Sequence, residues 1–276
     1  MTAAPAADGD VITDIGGPVA RVLINRPQTR NALSPAVVEG IGAAVDAAAA
    51  AGCSVLVIAG AGGTLSSGAD LSFLRSIRHD AARLRSYITS IGETFERLAA
   101  APFVSIGVVE QYALAGGCEL LLACDLAVVS EQARIGDRHL EYGLLPGAGG
   151  SVRLPRAVTP AIARRLLFTG EMMDGATAAR VGLVSHAVPG EQVMAAADAL
   201  AARLARHSQT ALTQIKRLYR TAAAASDLEA EMDHERDTLI RHLSEDPAVS
   251  EGLAAFAQKR PPDFAPFRAA PAETRP

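Results

Sequence analysis

Short runs of β-branched residues alternate with longer segments of helical spacing through the first half of the chain. The runs predict strands over Val19–Ile24, Val55–Ala59, Val104–Val109 and Leu126–Val129. The segments between them predict helices over Pro35–Ala51, Ala81–Ala100 and Cys118–Cys124. Strands that alternate with helices in this way are typical of an α/β fold.

The second half of the chain is mostly helical by the same criterion. Its spacing predicts helices over Pro160–Phe168, Ala176–Val181, Gln192–Arg206, Thr210–Ala225 and Asp227–Leu243. One short strand is predicted there, over Leu183–Val188. We therefore expect a helical layer to follow the α/β part of the chain.

The composition fits a folded globular protein and argues against a nucleic-acid partner. Of the 276 residues, 49% are hydrophobic, which is too apolar for a disordered chain. The net charge is -4, from 26 Lys and Arg against 30 Asp and Glu, and no run of five basic residues occurs. Aromatic residues make up 4% and Trp is absent, so stacking surfaces for single-stranded nucleic acid are missing as well.

Several features predict a cytoplasmic protein without a membrane partner. The first ten residues, MTAAPAADGD, lack the basic and apolar regions of a secretory signal. The 3 cysteines have no CxxC spacing and lie in apolar runs, as reduced core thiols do. Two long apolar stretches resemble membrane spans, but one contains Asp46 and the other contains Glu119 and Asp125.

Glycine clusters raise the question of a nucleotide-binding loop. The run IAGAGGTL has Gly60 and Gly62 but Leu65 at the third glycine position of GxGxxG, and PGAGGSV fails in the same way at Val152. Neither run contains GK[ST], so a Rossmann or P-loop function is disfavoured. These glycines are better explained as residues of tight turns.

Two other segments place glycine at the start of a helix. YALAGGCELLLACD puts Gly116 ahead of an apolar helix with Glu119 in its first turn. TLSSGADLSFL puts Gly68 ahead of Ala69 and Asp70 at the start of another helix. Free N–H groups at helix starts suit a developing oxyanion, so two of them predict an oxyanion hole. The alternative is that both acids simply favour the helix dipole and orient their turns.

Metal and serine chemistry are not predicted. HERDT lacks the second histidine of HExxH, and the remaining histidines have no ligand spacing. Serines beside glycines occur, but no GxSxG elbow is present. We expect no metal.

Six motifs, in order and over most of the chain, resemble the crotonase superfamily, which is the enoyl-CoA hydratase and isomerase family. They are NRPQTRNALS, VLVIAGAGGTLSSGADL, YALAGGCELLLACDLAV, GLLPGAGGSVRLPR, LLFTGEMMDGATAARVGLV and EGLAAFAQKR. The resemblance implies a spiral of repeated ββα units over residues 1–200 and a helical C-terminal trimerisation region over residues 201–276. It also implies a homotrimer or a dimer of trimers that takes a coenzyme A thioester as substrate and needs no cofactor.

The resemblance also assigns site residues. The thioester oxygen is expected between the N–H groups of Ala69 and Gly116, with Glu119 as one catalytic carboxylate. Contacts with the CoA moiety are implied at Arg26, Leu33, Ser66, Ser67, Gly68, Asp70, Leu71, Ser72 and Lys259. Lys259 corresponds to a position that reaches the CoA phosphates in many relatives, and its alternative is a solvated charge near the end of the chain.

The second catalytic carboxylate of hydratases is replaced in this chain. It is expected twenty residues after Glu119, and an ungapped fit through PGAGG puts His139 there. An imidazole and a carboxylate can still divide acid and base work. A two-residue shift of the loop would instead bring Glu141 to that place; otherwise Asp137, Glu141 and Tyr142 are expected to be polar residues of an exposed loop.

The resemblance favours an acyl-CoA lyase, an enoyl-CoA hydratase that works through a thioester enolate. One alternative is a carbon–carbon hydrolase, because His139 stands four residues before Gly143 as a histidine does in β-diketone-cleaving relatives. Double-bond isomerisation with His139 and a non-catalytic acyl-CoA binder are the others. The acyl chain length stays open.

Overall fold

A computed structural model describes residues 9–222 and 228–268. Residues 1–8 lie outside the described residues, as do the end of the predicted helix Thr210–Ala225, the start of the predicted helix Asp227–Leu243 and the chain after residue 268. Every statement below refers to the described part.

The strands lie mainly in the first half of the chain. They are β1 Val11–Gly16, β2 Val19–Ile24, β3 Val55–Gly60, β4 Val104–Val109, β5 Tyr112–Leu114, β6 Leu126–Ser130, β7 Arg134–Gly136, β8 Met173–Asp174 and β9 His186–Val188. In the described residues the larger sheet has the order β1-β2-β3-β4-β6-β9, parallel except for β1, and the smaller has the order β5-β7-β8.

Helices connect the strands and dominate the second half. They are α1 Pro35–Ala50, α2 Leu71–Ile77, α3 Ala81–Ala100, α4 Gly116–Ala123, α5 Gly150–Ala157, α6 Pro160–Thr169, α7 Gly175–Arg180, α8 Val193–Leu204, α9 Gln209–Ala222, α10 Leu228–Glu245 and α11 Pro247–Gln258. The bounds of β2, β4 and α3 equal the predicted ones. The elements without a sequence prediction are β1, β5, β7, β8, α5 and α11.

The α/β prediction is confirmed, and the ββα repeat is visible in the pairing. β4, β5 and α4 follow one another, and β6 and β7 repeat that order, so each repeat gives one strand to each sheet. Single bridges continue the smaller layer, from Ser66 to Ala113 and from Leu33 to Ala69. The strand-to-helix turns of successive repeats therefore meet side by side.

Apolar residues cover both faces of the larger sheet. One core cluster joins α1, α3 and α4 to the sheet, and a second joins α8 to the opposite face through Val193, Ala197 and Ala201. The boundary expected at residue 200 falls inside α8. No helix of residues 9–222 and 228–268 is long and apolar enough to cross a membrane.

Helix α9 is anchored to the core by a buried lysine. Lys216 is only 8% exposed. Its Nζ donates to the Phe103 carbonyl at 2.8 Å and to Asp125 Oδ2 at 2.7 Å. Because a buried ammonium group is stable only when it is paired and hydrogen-bonded, these contacts hold α9 against β4.

Candidate active site

The N–H groups of Ala69 and Gly116 lie side by side where two ββα turns meet. A Cβ placed on Gly116 would lie 3.5 Å from the Ala69 nitrogen, and one on Gly68 would lie 3.0 Å from the Gly116 nitrogen. Gly68 has φ +102°, a conformation that L side chains rarely adopt. In the described part of the chain neither N–H donates to a protein acceptor.

The turn before α4 owes its shape to close backbone approach. Ala115 has φ +49° and its N–H donates to the Gly136 carbonyl at 3.0 Å. A Cβ on Gly117 would lie 2.1 Å from the Ser66 carbonyl oxygen, so only glycine fits there. The glycine pair is thus explained by backbone packing that leaves the Gly116 N–H without an acceptor among the described residues.

Tyr87 on α3 supports the same site and was not identified from sequence. Its hydroxyl donates to the Leu33 carbonyl and accepts from the Asp70 N–H at 3.1 Å. Leu33 is one partner of the bridge to Ala69, and Asp70 directly follows the other, so the Tyr87 hydroxyl links the two chain segments next to that bridge. Burial raises the pKa of Tyr87 to about 12, which keeps the phenol protonated as a donor.

Asp70 acts as the cap of α2, as expected for an acid in a first turn. Its Oδ1 accepts from the N–H groups of Ser72 and Phe73, both at 3.1 Å. Its Oδ2 pairs with Arg26 at 3.2 Å. Burial would raise the pKa of this carboxyl, but the N–H donors and Arg26 outweigh burial and lower it.

Some of the other predicted CoA contacts are held by backbone hydrogen bonds or by burial, and the rest are exposed. The Ser66 carbonyl accepts from the Leu114 N–H at 3.1 Å and the Gly68 carbonyl from the Leu33 N–H at 2.8 Å. Among the described residues the Ser67 carbonyl accepts no hydrogen bond. Leu33 is fully buried, so its side chain packs beneath the turn.

Leu71, Ser72 and Lys259 are exposed. Leu71 and Ser72 form the first turn of α2 next to Ala69. Lys259 ends α11 in a left-handed conformation, and within the described residues none of its hydrogen bonds reaches another predicted site residue. The structure thus brings together the residues of the two turns but not Lys259.

Glu119 is buried, with 3% of its surface exposed. Its Oε1 accepts from the N–H groups of Ala148 and Gly150, each at 2.8 Å. Gly150 is the first residue of α5, whose dipole favours a negative charge there. These bonds fix one oxygen and leave Oε2 directed toward His139.

His139 lies where the alignment on PGAGG predicts it, opposite Glu119. Its Nε2 is 3.9 Å from Glu119 Oε2, and its Nδ1 is 2.9 Å from Asp137 Oδ1. Burial lowers the pKa of His139, but the bond and charge of Asp137 and the charge of Glu119 outweigh burial and raise it. His139 therefore stays protonated to a higher pH than an ordinary histidine does.

The expectation of an exposed loop is correct for Glu141 and Tyr142 and wrong for Asp137. Asp137 is 3% exposed, because β7 leads it directly beneath His139. Glu141 instead pairs with Arg138 at 3.3 Å and contacts Gly170. His139, and not Glu141, is therefore the residue that lies opposite Glu119.

Two further observations concern metal-binding groups and the thiol beside this site. No group of three or more His, Cys, Asp or Glu side chains suited to a metal lies in residues 9–222 and 228–268. Burial, with Asp137 and Glu119 nearby, raises the pKa of the Cys118 thiol, so it stays protonated.

Comparison with known proteins places the chain in a family. The model described as enoyl-CoA hydratase/isomerase matches residues 14–266. The chain belongs to the enoyl-CoA hydratase/isomerase family. The 2,3-dehydroadipyl-CoA hydratase of Escherichia coli is 37% identical to this family member over 242 residues, which cover 87% of this chain and 92% of that protein.

Two further comparisons agree. A probable enoyl-CoA hydratase of Mycobacterium bovis is 34% identical over 244 residues, covering 88% of this chain and 93% of that protein. The crystal structure of an enoyl-CoA hydratase from Polaromonas has a TM-score of 0.87 at 29% identity, covering 92% of this chain and 99% of that chain. The resemblance inferred from six motifs is confirmed for the family and for its fold.

Proposed function

We propose that this member of the family is an enoyl-CoA hydratase that adds water to a 2-enoyl-CoA through a thioester enolate. The observation that carries the proposal is the pairing of Glu119 and His139 across 3.9 Å beside two unpaired N–H groups. A base and an acid so close to an oxyanion site are what addition of water to an activated double bond requires.

The steps follow from the protonation states that the contacts favour. Glu119 Oε2 takes a proton from water as the water oxygen bonds to the β-carbon. The double-bond electrons move to the thioester oxygen, where the N–H groups of Ala69 and Gly116 hold the enolate. The His139 imidazolium gives its Nε2 proton to the α-carbon, and the proton held by Glu119 then returns to His139.

CoA binding is proposed along the turn that ends in Ala69. The free Ser67 carbonyl is our candidate acceptor for the adenine amino group, with Ser66 and Gly68 shaping the turn. Leu71 and Ser72 border the pantetheine arm, whereas Arg26, Leu33 and Asp70 hold the turn in place. A phosphate contact by Lys259 remains part of the proposal.

A homotrimer or dimer of trimers, assembled through the C-terminal helical region, is also proposed. Large apolar side chains of α9–α11 are exposed, among them Tyr219 at 74% and Phe256 at 85%. Exposed apolar surface on this scale marks an association site. Light scattering should give about three or six times the 28.5 kDa of one chain; the mass of one chain would reject the assembly.

The test of the reaction is mass spectrometry after incubation with 2-enoyl-, 3-enoyl-, β-hydroxyacyl- and β-ketoacyl-CoA thioesters in D₂O. Hydration predicts the gain of one water by the 2-enoyl-CoA and one non-exchanging deuterium at the α-carbon. Cleavage of the ketoacyl chain would indicate the carbon–carbon hydrolase instead. Conversion of the 3-enoyl-CoA to its 2-enoyl isomer without water addition would indicate the isomerase, and calorimetric binding without any turnover the acyl-CoA binder.

A further inference from the structure

A buried carboxylate lies behind the histidine of the candidate site. Asp137 follows the last residue of β7 and is 3% exposed. Its Oδ1 is 2.9 Å from His139 Nδ1, while His139 Nε2 lies on the other side of the ring, 3.9 Å from Glu119 Oε2. The imidazole is therefore held between two carboxylates, one on each nitrogen.

This arrangement determines where the histidine carries its proton. An ionised carboxylate only accepts hydrogen bonds, so Nδ1 of His139 must be the donor to Asp137. When the ring is neutral, Nε2 is then the free base that faces Glu119. When the ring is charged, Nε2 carries the proton that can leave.

The second oxygen of Asp137 shows that its burial is not explained by packing alone. Oδ2 is buried and has no hydrogen-bond partner among the described residues. It lies 2.6 Å from the point where a Cβ of Gly150 would stand, and Glu119 Oε1 lies 3.2 Å from the same point. Burying a carboxylate with one oxygen unsatisfied is costly, and such a cost is typical of functional positions.

Among the described residues, two charged side chains act on the His139 ring. Asp137 and Glu119 are the two whose charges raise the pKa of His139. Cys118 nearby is held neutral by its raised pKa. Arg138 and Glu141, on the same loop, pair with each other at 3.3 Å.

We propose that Asp137 is a positioning residue that holds His139 with Nε2 toward Glu119, so that the two residues together replace the missing second carboxylate. The role in turnover rests on the proposed hydration. Through the cycle the hydrogen bond between His139 Nδ1 and Asp137 Oδ1 persists. Only the Nε2 proton moves, first to the α-carbon and then back from Glu119.

The kinetic test is Asp137→Asn. The amide keeps the shape but can donate to Nδ1, which favours the neutral tautomer with its proton on Nε2. We expect kcat to fall roughly 10²- to 10⁴-fold, as wrong-tautomer variants of other catalytic histidines do, with little change in KM. The limb of the pH profile set by His139 should move to lower pH, because the charge that raises its pKa is gone.

Glu141→Gln is the matched control, since it removes a carboxylate from the same loop that does not contact His139. Glu141→Gln should leave kcat unchanged, and the limb of the pH profile that His139 sets should not move. An Asp137→Asn enzyme with unchanged kcat, or with reduced kcat but an unmoved limb, would overturn the positioning role.

A second measurement does not depend on turnover. Nitrogen-15 NMR of histidine-labelled wild-type protein, assigned by comparison with His139→Gln, reports the proton on each ring nitrogen. We expect a protonated Nδ1 throughout and loss of the Nε2 proton only above the ordinary histidine pKa of about 6.5. A neutral ring with its proton on Nε2 would overturn the proposal whatever reaction the enzyme catalyses, and failure of hydration alone would leave this result intact.

Discussion

One wall of the candidate site consists of backbone N–H groups, at Ala69 and Gly116, whereas the other consists of the side chains of Glu119, Asp137 and His139. We call these the backbone wall and the side-chain wall. The backbone wall depends on glycine conformation and close packing, and its glycines lie in motifs that resemble those of the family. The side-chain wall holds an Asp–His pair at the position where the resemblance leads us to expect a glutamate.

The two walls differ in what they contribute to the proposed reaction: one binds the intermediate and the other transfers protons. Backbone N–H groups stabilise any thioester enolate, so in the proposed reaction the backbone wall holds the intermediate. Proton transfer depends on the identity and pKa of each group, so the side-chain wall decides the reaction. Changes on the two walls should therefore have separable effects.

The largest effect is expected on the side-chain wall. Glu119→Gln keeps an oxygen for the Ala148 and Gly150 N–H groups but removes the base, so hydration should fall roughly 10²- to 10⁴-fold. Steady-state kinetics, with circular dichroism to check folding, measures this. The control is Glu93→Gln on the exposed side of α3, and a Glu119→Gln enzyme with the activity of that control would contradict the assignment.

The next effect is expected on the backbone wall. Gly68→Ala forces a side chain onto φ +102° and places its Cβ 3.0 Å from the Gly116 nitrogen. The distorted hole should lower kcat/KM by roughly 10²- to 10³-fold. Gly17→Ala, at φ +72° with no atom within 4 Å of the added Cβ, separates backbone strain from damage to the hole. Equal activity in the two variants would argue against an oxyanion hole at Gly116.

A smaller effect is expected where side chains support the backbone wall. Tyr87→Phe leaves the Leu33 carbonyl and the Asp70 N–H without their shared hydroxyl. Unsatisfied buried groups should lower the free energy of unfolding by about 1–3 kcal/mol, measured by urea denaturation. The same change at Tyr112, whose hydroxyl bonds to no described residue, should cost much less. A stable Tyr87→Phe protein would show that water replaces the hydroxyl.

The smallest effect concerns the pH dependence of stability. Asp137 and Glu119 outweigh burial and raise the pKa of His139. A group with a raised folded pKa stabilises fully below its unfolded pKa, about 6.5, and this contribution is lost as pH rises through the folded value. The stability difference between wild type and His139→Gln should therefore shrink from about pH 6 upward. A stability difference that does not change with pH would exclude a charged pair of His139 and Asp137.

Sequence periodicity predicted the long elements well and the short ones poorly. β2, β4 and α3 follow apolar patterns that their own residues carry, so their bounds were predictable. β5, β7 and β8 have two or three residues each, too few for a period, and exist because neighbouring repeats pair with them. Helix α5 contains Pro155 and starts at a glycine turn, signals that locally argue against a helix.

For the site, the sequence by itself determined the glycine turns, Glu119 and the position of His139, because these lie in contiguous motifs with fixed spacing. Only the tertiary structure decided that Asp137 is buried against His139, that Glu141 pairs with Arg138 instead, and that Tyr87 spans Leu33 and Asp70. Burial and side-chain pairing depend on how β7, α3 and α5 pack together. That packing is a property of distant segments, and no local pattern encodes it.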